Sequence, residues 1–163
     1  MDQREFRSAL GRFPTGVAVV TAQAPGGARA GVTVSSFNSV SLDPPLVLWS
    51  LARCSPSLAV FEAARFFCIN VLGEDGIALS KRFATPASDK FAGLALRDGL
   101  GGAPVLEGSV ASFECASWQA YDGGDHVIFV GLVERFARGD GAPLLFCDGR
   151  YGAVREHPAL AAA

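Results

Sequence analysis

The 163-residue sequence is poor in the residues from which many kinds of site are built. It has two histidines, His126 and His157, and they do not stand at the i, i+4 spacing of a helical metal pair. A zinc or iron site built on histidine is therefore not expected. Four cysteines, Cys54, Cys68, Cys115 and Cys147, are scattered without a C-x-x-C pair. Two of them fall inside strand-like apolar runs and read as buried free thiols. Charge is scarce, 18% of residues where ordinary soluble domains carry about 25%. Basic residues are not in excess, the formal net charge being −2, so the field that tracks nucleic-acid phosphates is missing. Long apolar runs are missing too. "LVLW" and "GVAVV" are far too short to cross a bilayer, and "MDQREFRSAL" lacks the apolar block of a signal peptide, which together predict a cytoplasmic protein. Neither G-x-G-x-x-G nor a P-loop occurs, and the nearest glycine cluster, "DGLGGAP", runs into Pro104 and a strand instead of a helix. Ser35, His126 and Asp125 have the residue types of a hydrolase triad, but no G-x-S-x-G elbow accompanies them.

What is present is apolar: half of the residues. One domain, 1–163, is long enough to bury a core without disulfide or metal staples. The apolar surplus with so little solvating charge predicts a subunit interface, most simply in a homodimer. In "DQREFRSALGRFPTG", Phe6, Leu10 and Phe13 recur at helical spacing until Gly11 and Pro14 end the element. "GVAVVTAQ" and "ARAGVTVSS" flank Pro25, Gly26 and Gly27 as a hairpin, and "LVLWSLA" follows as a further strand. Ser55 as N-cap with Pro56 at the first helical position makes "PSLAVFEAA" a short helix. "RFFCINVL" is a strand and "EDGIALSKRFA" a helix. The glycine-rich segment from Thr85 to Gly108 reads as a long loop, a candidate lid. "SVASFECASWQAY" and "HVIFVGLVERFA" are long strands joined by Asp122-Gly123-Gly124-Asp125, and "PLLFCDGRYG" closes the chain as a last strand. About seven strands that follow one another directly, with three short helices, predict a mainly antiparallel β barrel with helical decoration.

The stretch "GVTVSSFNSVSLDPPL" sets Thr33, Ser35, Ser36, Ser39 and Ser41 among apolar residues. Short hydroxyls both donate and accept without adding charge. They suit a ring edge that alternates carbonyl oxygens and nitrogens, as a flavin's does, because they do not bias its redox state. They also suit an ordinary solvent-facing sheet edge, and spacing does not choose between the two.

Six ordered blocks add to this: "FRSALGRFPTGVAVVTA", "GVTVSSFNSVSLDPPLVLWSL", "FCINVL", "LSKRFA", "GDHVIFVGLV" and "PLLFCDGRYG". From Phe6 to Gly152 the chain resembles the flavin reductase family, the reductase components of two-component flavin-dependent monooxygenases. The resemblance implies a Greek-key split β-barrel homodimer that binds FMN or FAD near the subunit interface and oxidises NADH or NADPH. Reduced flavin would then leave for a separate monooxygenase. It also implies that Thr33, Val34, Ser35 and Ser36 line the isoalloxazine, and that Ser50, Ala52, Arg53, Cys54 and Ser55 follow the ring and ribityl chain. Asn70 would sit beside them, and Ser80, Lys81 and Arg82 would approach the phosphate. His126, Gly149, Arg150 and Tyr151 would serve the nicotinamide side, His126 by orienting nicotinamide or flavin. Where many members carry an asparagine-containing segment, this chain has "LARCS", which would leave flavin contacts there to the backbone. The residues themselves admit plainer roles: Lys81 and Arg82 complement their own helix dipole, His126 fits a turn, Tyr151 a core, and Arg150 an exposed surface. Two alternatives share the barrel: a flavin carrier without NAD(P)H activity, and a pyridoxine-phosphate-type oxidase, which wants a more cationic pocket.

Overall fold

Asp2 starts the first element: its carboxylate accepts from the amides of Arg4 (2.8 Å) and Glu5 (3.4 Å) and caps α1 (Gln3–Gly11). The computed structural model describes residues 1–157, so the last six residues of the expected 1–163 domain lie outside the described residues. After α1 come β1 (Thr15–Gly16), β2 (Ala18–Gln23) and β3 (Arg29–Val34). β2 is buried along almost its whole length, which is why it reads as an unbroken apolar run. It pairs antiparallel with β3 across the expected turn, where Gly26 and Gly27 take φ of +93° and +89°.

The hydroxyl stretch divides between β3 and β4 (Asn38–Leu42), and β5 (Pro45–Ala52) follows. β5 alternates, turning Val47, Trp49 and Leu51 inward. Helix α2 (Leu58–Ala63) leads to β6 (Phe66–Val71), and a turn of 3₁₀ helix (Glu74–Gly76) leads to α3 (Ile77–Ala84). β7 (Leu96–Asp98) and β8 (Pro104–Leu106) form a small hairpin. The long β9 (Ala111–Gly123) and β10 (His126–Arg138) form the expected large hairpin, and β11 (Leu144–Cys147) with β12 (Arg150–Ala153) follows as the last strand pair of the described residues.

Seven strands make one antiparallel sheet in the order β3-β2-β6-β9-β10-β5-β4, and β1, β11 and β12 make a second. The expected barrel is not closed: no backbone ladder joins β3 to β4 or β5 among the described residues. Yet β3 and β4, at opposite ends of the strand order, are separated by residues 35–37 alone. At 3.8 Å per residue so short a link forces the two margins together and curls the sheet. A side chain stitches the seam. The Ser36 hydroxyl accepts the Ser50 N–H (3.0 Å) and donates to the Ser50 carbonyl (3.2 Å).

The core inside the curl centres on Trp49, fully buried, with Phe61, Phe67 and Phe129 at ring distances of 4.8, 5.8 and 4.8 Å. Gly131 in β10 is required by this packing, because a Cβ there would overlap the Phe67 ring. Cys68 and Cys115 are the expected buried thiols, and burial pushes the Cys68 thiol up to about 12. A second cluster, with Val19, Leu72, Phe83 and Leu144, fills the space between the two sheets and α3. Backbone bonds from Val17 to Leu144, Leu144 to Leu72 and Leu72 to Val17 tie the small sheet to the large one.

Three local expectations change. The lid segment carries β7 and β8, and its Ala103–Leu106 stretch is buried, with the Pro104 carbonyl accepting the Thr21 hydroxyl, so that stretch is packed wall. The last strand is a hairpin whose turn holds Asp148 and Gly149 at φ of +50° and +74°. Helix α2 starts two residues late: its N-cap is Ser57, and the Ser55 hydroxyl accepts the Ser57 amide (3.3 Å) in the turn before it. No helix among the described residues is long and apolar enough to cross a membrane.

Candidate active site

Two clefts meet at Thr33, on the margin of β3. The smaller, about 210 Å³, is lined by Thr33, Val34, Ser35, Ser80, Phe146 and Tyr151. The larger, about 450 Å³, runs from Thr33 past Ala52, Ser55 and Ser57 to Arg29 and Lys90. The seam explains the meeting place: β3, the second half of α3 and the end of β5 converge where the sheet curls without closing. Gly31 makes the approach possible, since a Cβ on it would overlap the Phe83 ring of α3. The Thr33 hydroxyl then donates to the Ser80 carbonyl at 2.6 Å and locks α3 to the strand. The hydroxyls of Ser80 and Tyr151 share a hydrogen bond of 3.0 Å, which fixes the tyrosine across the end of the smaller cleft.

The fold therefore gathers Thr33, Val34, Ser35, Ser80 and Tyr151 in one wall, and Thr33, Ala52 and Ser55 in the next. Other expected site residues lie elsewhere. Asn70 is fully buried: its amide donates to Val19 O (3.0 Å) and Thr21 Oγ1 (3.2 Å), and its oxygen accepts the Leu106 N–H (2.8 Å). A side chain so enclosed spends its hydrogen bonds on the core. Ser36 and Ser50 are engaged with each other at the seam. Arg53 turns away from the clefts to the β9–β10 turn, and Cys54 is exposed outside both. Lys81 lies on the exposed face of α3, and Arg82 reaches the Ala92 carbonyl beside a separate hollow. That placement follows from helical geometry: residues one and two beyond Ser80 point roughly 100° and 200° away from it.

His126 opposes Ala52 across the β10–β5 ladder, and its Nδ1 meets Asp125 Oδ1 at 2.7 Å. That hydrogen bond holds the Asp125 carboxyl below its ordinary value. The ring lines neither cleft. Gly149 serves the tight turn, Arg150 is exposed, and Tyr151 alone of that trio faces a cleft.

One residue escaped sequence reasoning. Lys90 is half-buried, donating from Nζ to Phe83 O (2.9 Å) and Gly31 O (3.3 Å), and burial draws its ammonium below the ordinary lysine value. It stands between the 450 Å³ cleft and an adjoining hollow of about 480 Å³. An ammonium has three donors, so one remains for an anion. The signal was in "SDKF": Asp89 accepts the Phe91 and Ala92 amides (2.8 and 3.1 Å), an Asx turn that pins the lysine, while Phe91 packs on Phe83. The arrangement offers a neutral slot at one end and a fixed cation at the other, which suits an uncharged ring system bearing a phosphate.

Known proteins share this arrangement's sequence and fold. The family model for a flavin reductase like domain matches residues 10–155. The chain is 50% identical over 151 residues to an NADH-dependent FMN reductase, SmoA, of Agrobacterium fabrum, a match covering 93% of this chain and 86% of that one. It is 40% identical over 157 residues to the reductase subunit HsaB of a flavin-dependent monooxygenase of Mycobacterium tuberculosis, covering 94% and 83%. Among solved structures, the NADH:FAD oxidoreductase SgcE6 of Streptomyces globisporus C-1027, in complex with NAD and FAD fragments, superposes with a TM-score of 0.88 at 36% identity, covering 96% and 94%. With the family model spanning nearly all of the described residues and relatives of this identity along the same length, the chain belongs to the flavin reductase-like domain family.

Proposed function

We propose that this chain is an NAD(P)H:flavin oxidoreductase: hydride passes from NADH or NADPH to FMN or FAD, and the reduced flavin serves a separate monooxygenase. The observation that carries the site assignment is the junction at Thr33, where a neutral hydroxyl wall runs into a cleft ending at Lys90. Flavin, when bound, supplies a two-electron acceptor for the nicotinamide hydride. This chain's residues do the positioning. Thr33 and Ser35 offer uncharged partners to the ring edge, Ala52 and Ser55 follow its tail, and Lys90 supplies the countercharge to phosphate. Tyr151, held by Ser80, bounds the slot so that donor and acceptor meet in a near-attack arrangement. His126, held by Asp125, orients the nicotinamide or the flavin from the β5 end. A site with few cations, the half-buried Lys90 among them, and short hydroxyls binds moderately, as a flavin that must leave requires.

The 1–163 chain works as one domain and as a homodimer, with the curled sheet as the split barrel of its family. The dimer reading rests on exposed Trp118, Tyr121, Phe136, Val40 and Leu42, apolar surface that a second copy would cover. Dependence on reduced pyridine nucleotide and four unpaired cysteines fit the cytoplasm.

The test is a steady-state assay crossing NADH and NADPH with FMN, FAD and riboflavin. Oxidation of the nucleotide in step with flavin reduction supports the reading. Flavin binding without nucleotide oxidation identifies a carrier instead. Lys90→Met separates the phosphate from the ring: it is expected to weaken FMN about tenfold through loss of a charge-assisted contact, with riboflavin unchanged, and equal effects on both would remove Lys90 from the site.

A further inference from the structure

The loop after β5 and the turn between β9 and β10 are gripped together by one arginine. The Arg53 backbone N–H donates to Asp125 O (2.9 Å), Nε donates to Gly124 O (2.9 Å), and Nη2 donates to Asp122 Oδ1 (2.7 Å). The same carboxylate oxygen accepts the Gly124 amide (3.1 Å), so Asp122 shapes the turn and anchors the guanidinium at once. The loop's remaining bonds run within itself or into α2: Ser55 N to Ala52 O, Ser57 N to Ser55 Oγ, Leu58 N to Ser55 O.

We propose that Arg53 and Asp122 are positioning residues, a clamp that holds the cleft-lining loop of residues 53–57 against the turn leading into His126. The inference rests on the flavin reading of the cleft given above. Ala52, Ser55 and Ser57 line that cleft, and His126 opposes Ala52 across the ladder, so the clamp fixes the wall that the loop forms relative to the β9–β10 turn beside it. Its chemistry is directional. A planar guanidinium with donors in a fixed fork defines both the distance and the angle of approach, which a lysine ammonium at the same place would not. Its contribution to folding is small, because the side chains are 46% and 78% exposed and exposed pairs are weak. Breaking it therefore leaves a folded protein with a looser cleft.

The experiment compares the full-length wild-type chain with Asp122→Asn, Asp122→Glu and Arg53→Lys. In hydrogen exchange without flavin, the amides of residues 53–58 and 124–126 are expected to exchange faster in Asp122→Asn and Arg53→Lys. In turnover, the flavin KM is expected to rise about two- to fivefold, the range of an exposed ion pair, with kcat changed less and with partial rescue by Asp122→Glu. With riboflavin, which lacks the phosphate that Lys90 would hold, raising the salt concentration should raise the wild-type KM and leave the Asp122→Asn KM where it is, since the screened ion pair is already gone. Unchanged exchange, or an unchanged KM with wild-type salt dependence, overturns the clamp and leaves the flavin reading standing. A wild-type chain that reduces no flavin overturns that reading, and the exchange result still decides whether the clamp exists.

Discussion

Polar side chains occupy two regions of this molecule, and they are spent differently. Within the large sheet, Asn70, Thr21 and Glu114 are buried and their hydrogen bonds go to named protein partners: Asn70 to β2 and the Leu106 amide, Thr21 to the Pro104 carbonyl, Glu114 to Arg97 and the Leu100 amide. At the seam, Thr33, Ser35 and Tyr151 stand at the wall of open clefts; Thr33 and Tyr151 each hold one contact to α3, and the wall keeps capacity to spare. A hydroxyl has one donor and two lone pairs, so a single internal bond leaves it able to serve a ligand. Saturated polar groups hold the fold, while the half-used ones line the proposed site.

The distinction can be broken by substitution, and the largest effect belongs to the sheet. Asn70→Ala leaves the Leu106 amide and the Val19 carbonyl without their partner and should cost about 3 kcal/mol, read by urea unfolding, with the flavin KM of the folded protein unchanged. A KM change at Asn70 would mean that the buried network is part of the site after all. Thr33→Val, nearly isosteric, should cost about 1 kcal/mol for the lost bond to Ser80 and raise the flavin KM on the order of fivefold as α3 loosens. An unchanged KM would reduce the wall to scaffolding.

The smallest expected effect is electrostatic. Burial works to raise the Glu114 carboxyl, but the hydrogen bonds from Arg97 and the Leu100 amide and the charges of Arg97 and Arg135 outweigh it and hold the group below its ordinary value. A carboxyl lowered in the folded state binds fewer protons than in the unfolded one, so its stabilisation is whole above about pH 4.5 and is lost as pH falls through the lower folded value. Wild type should therefore exceed Glu114→Gln in urea stability at pH 7, and the two curves should approach each other in acid. A gap that does not change with pH would assign the effect to packing.

Much of the fold was legible because its signals are local. The apolar run of β2, the alternation of β5, the spacing of Phe6 and Leu10 and the Asp-Gly-Gly-Asp turn each fix an element without reference to the rest of the chain. The second hairpin was hidden by its brevity, although Asp148-Gly149 is the dipeptide that a two-residue turn with two positive φ angles prefers. The site was legible in part. Thr33 and Ser35 could be picked out as hydroxyls on a strand, but whether a hydroxyl faces its own protein or open space depends on the partner strand, and Asn70 and Ser36 fell on the other side of that line. Lys90 lay in what reads as loop, and its value comes from two carbonyls contributed by β3 and α3.

Lys90 does one thing more for β3. A strand at the rim of a sheet displays unpaired carbonyls that another chain can extend into a continuous ribbon, the usual start of fibrous aggregation, and proteins guard such rims with lysines. Here the half-buried ammonium sits on the Gly31 carbonyl, capping the rim with a charge. The cation available to a phosphate thus also denies the strand to strangers, which gives the protein a reason to keep it when the cleft is empty.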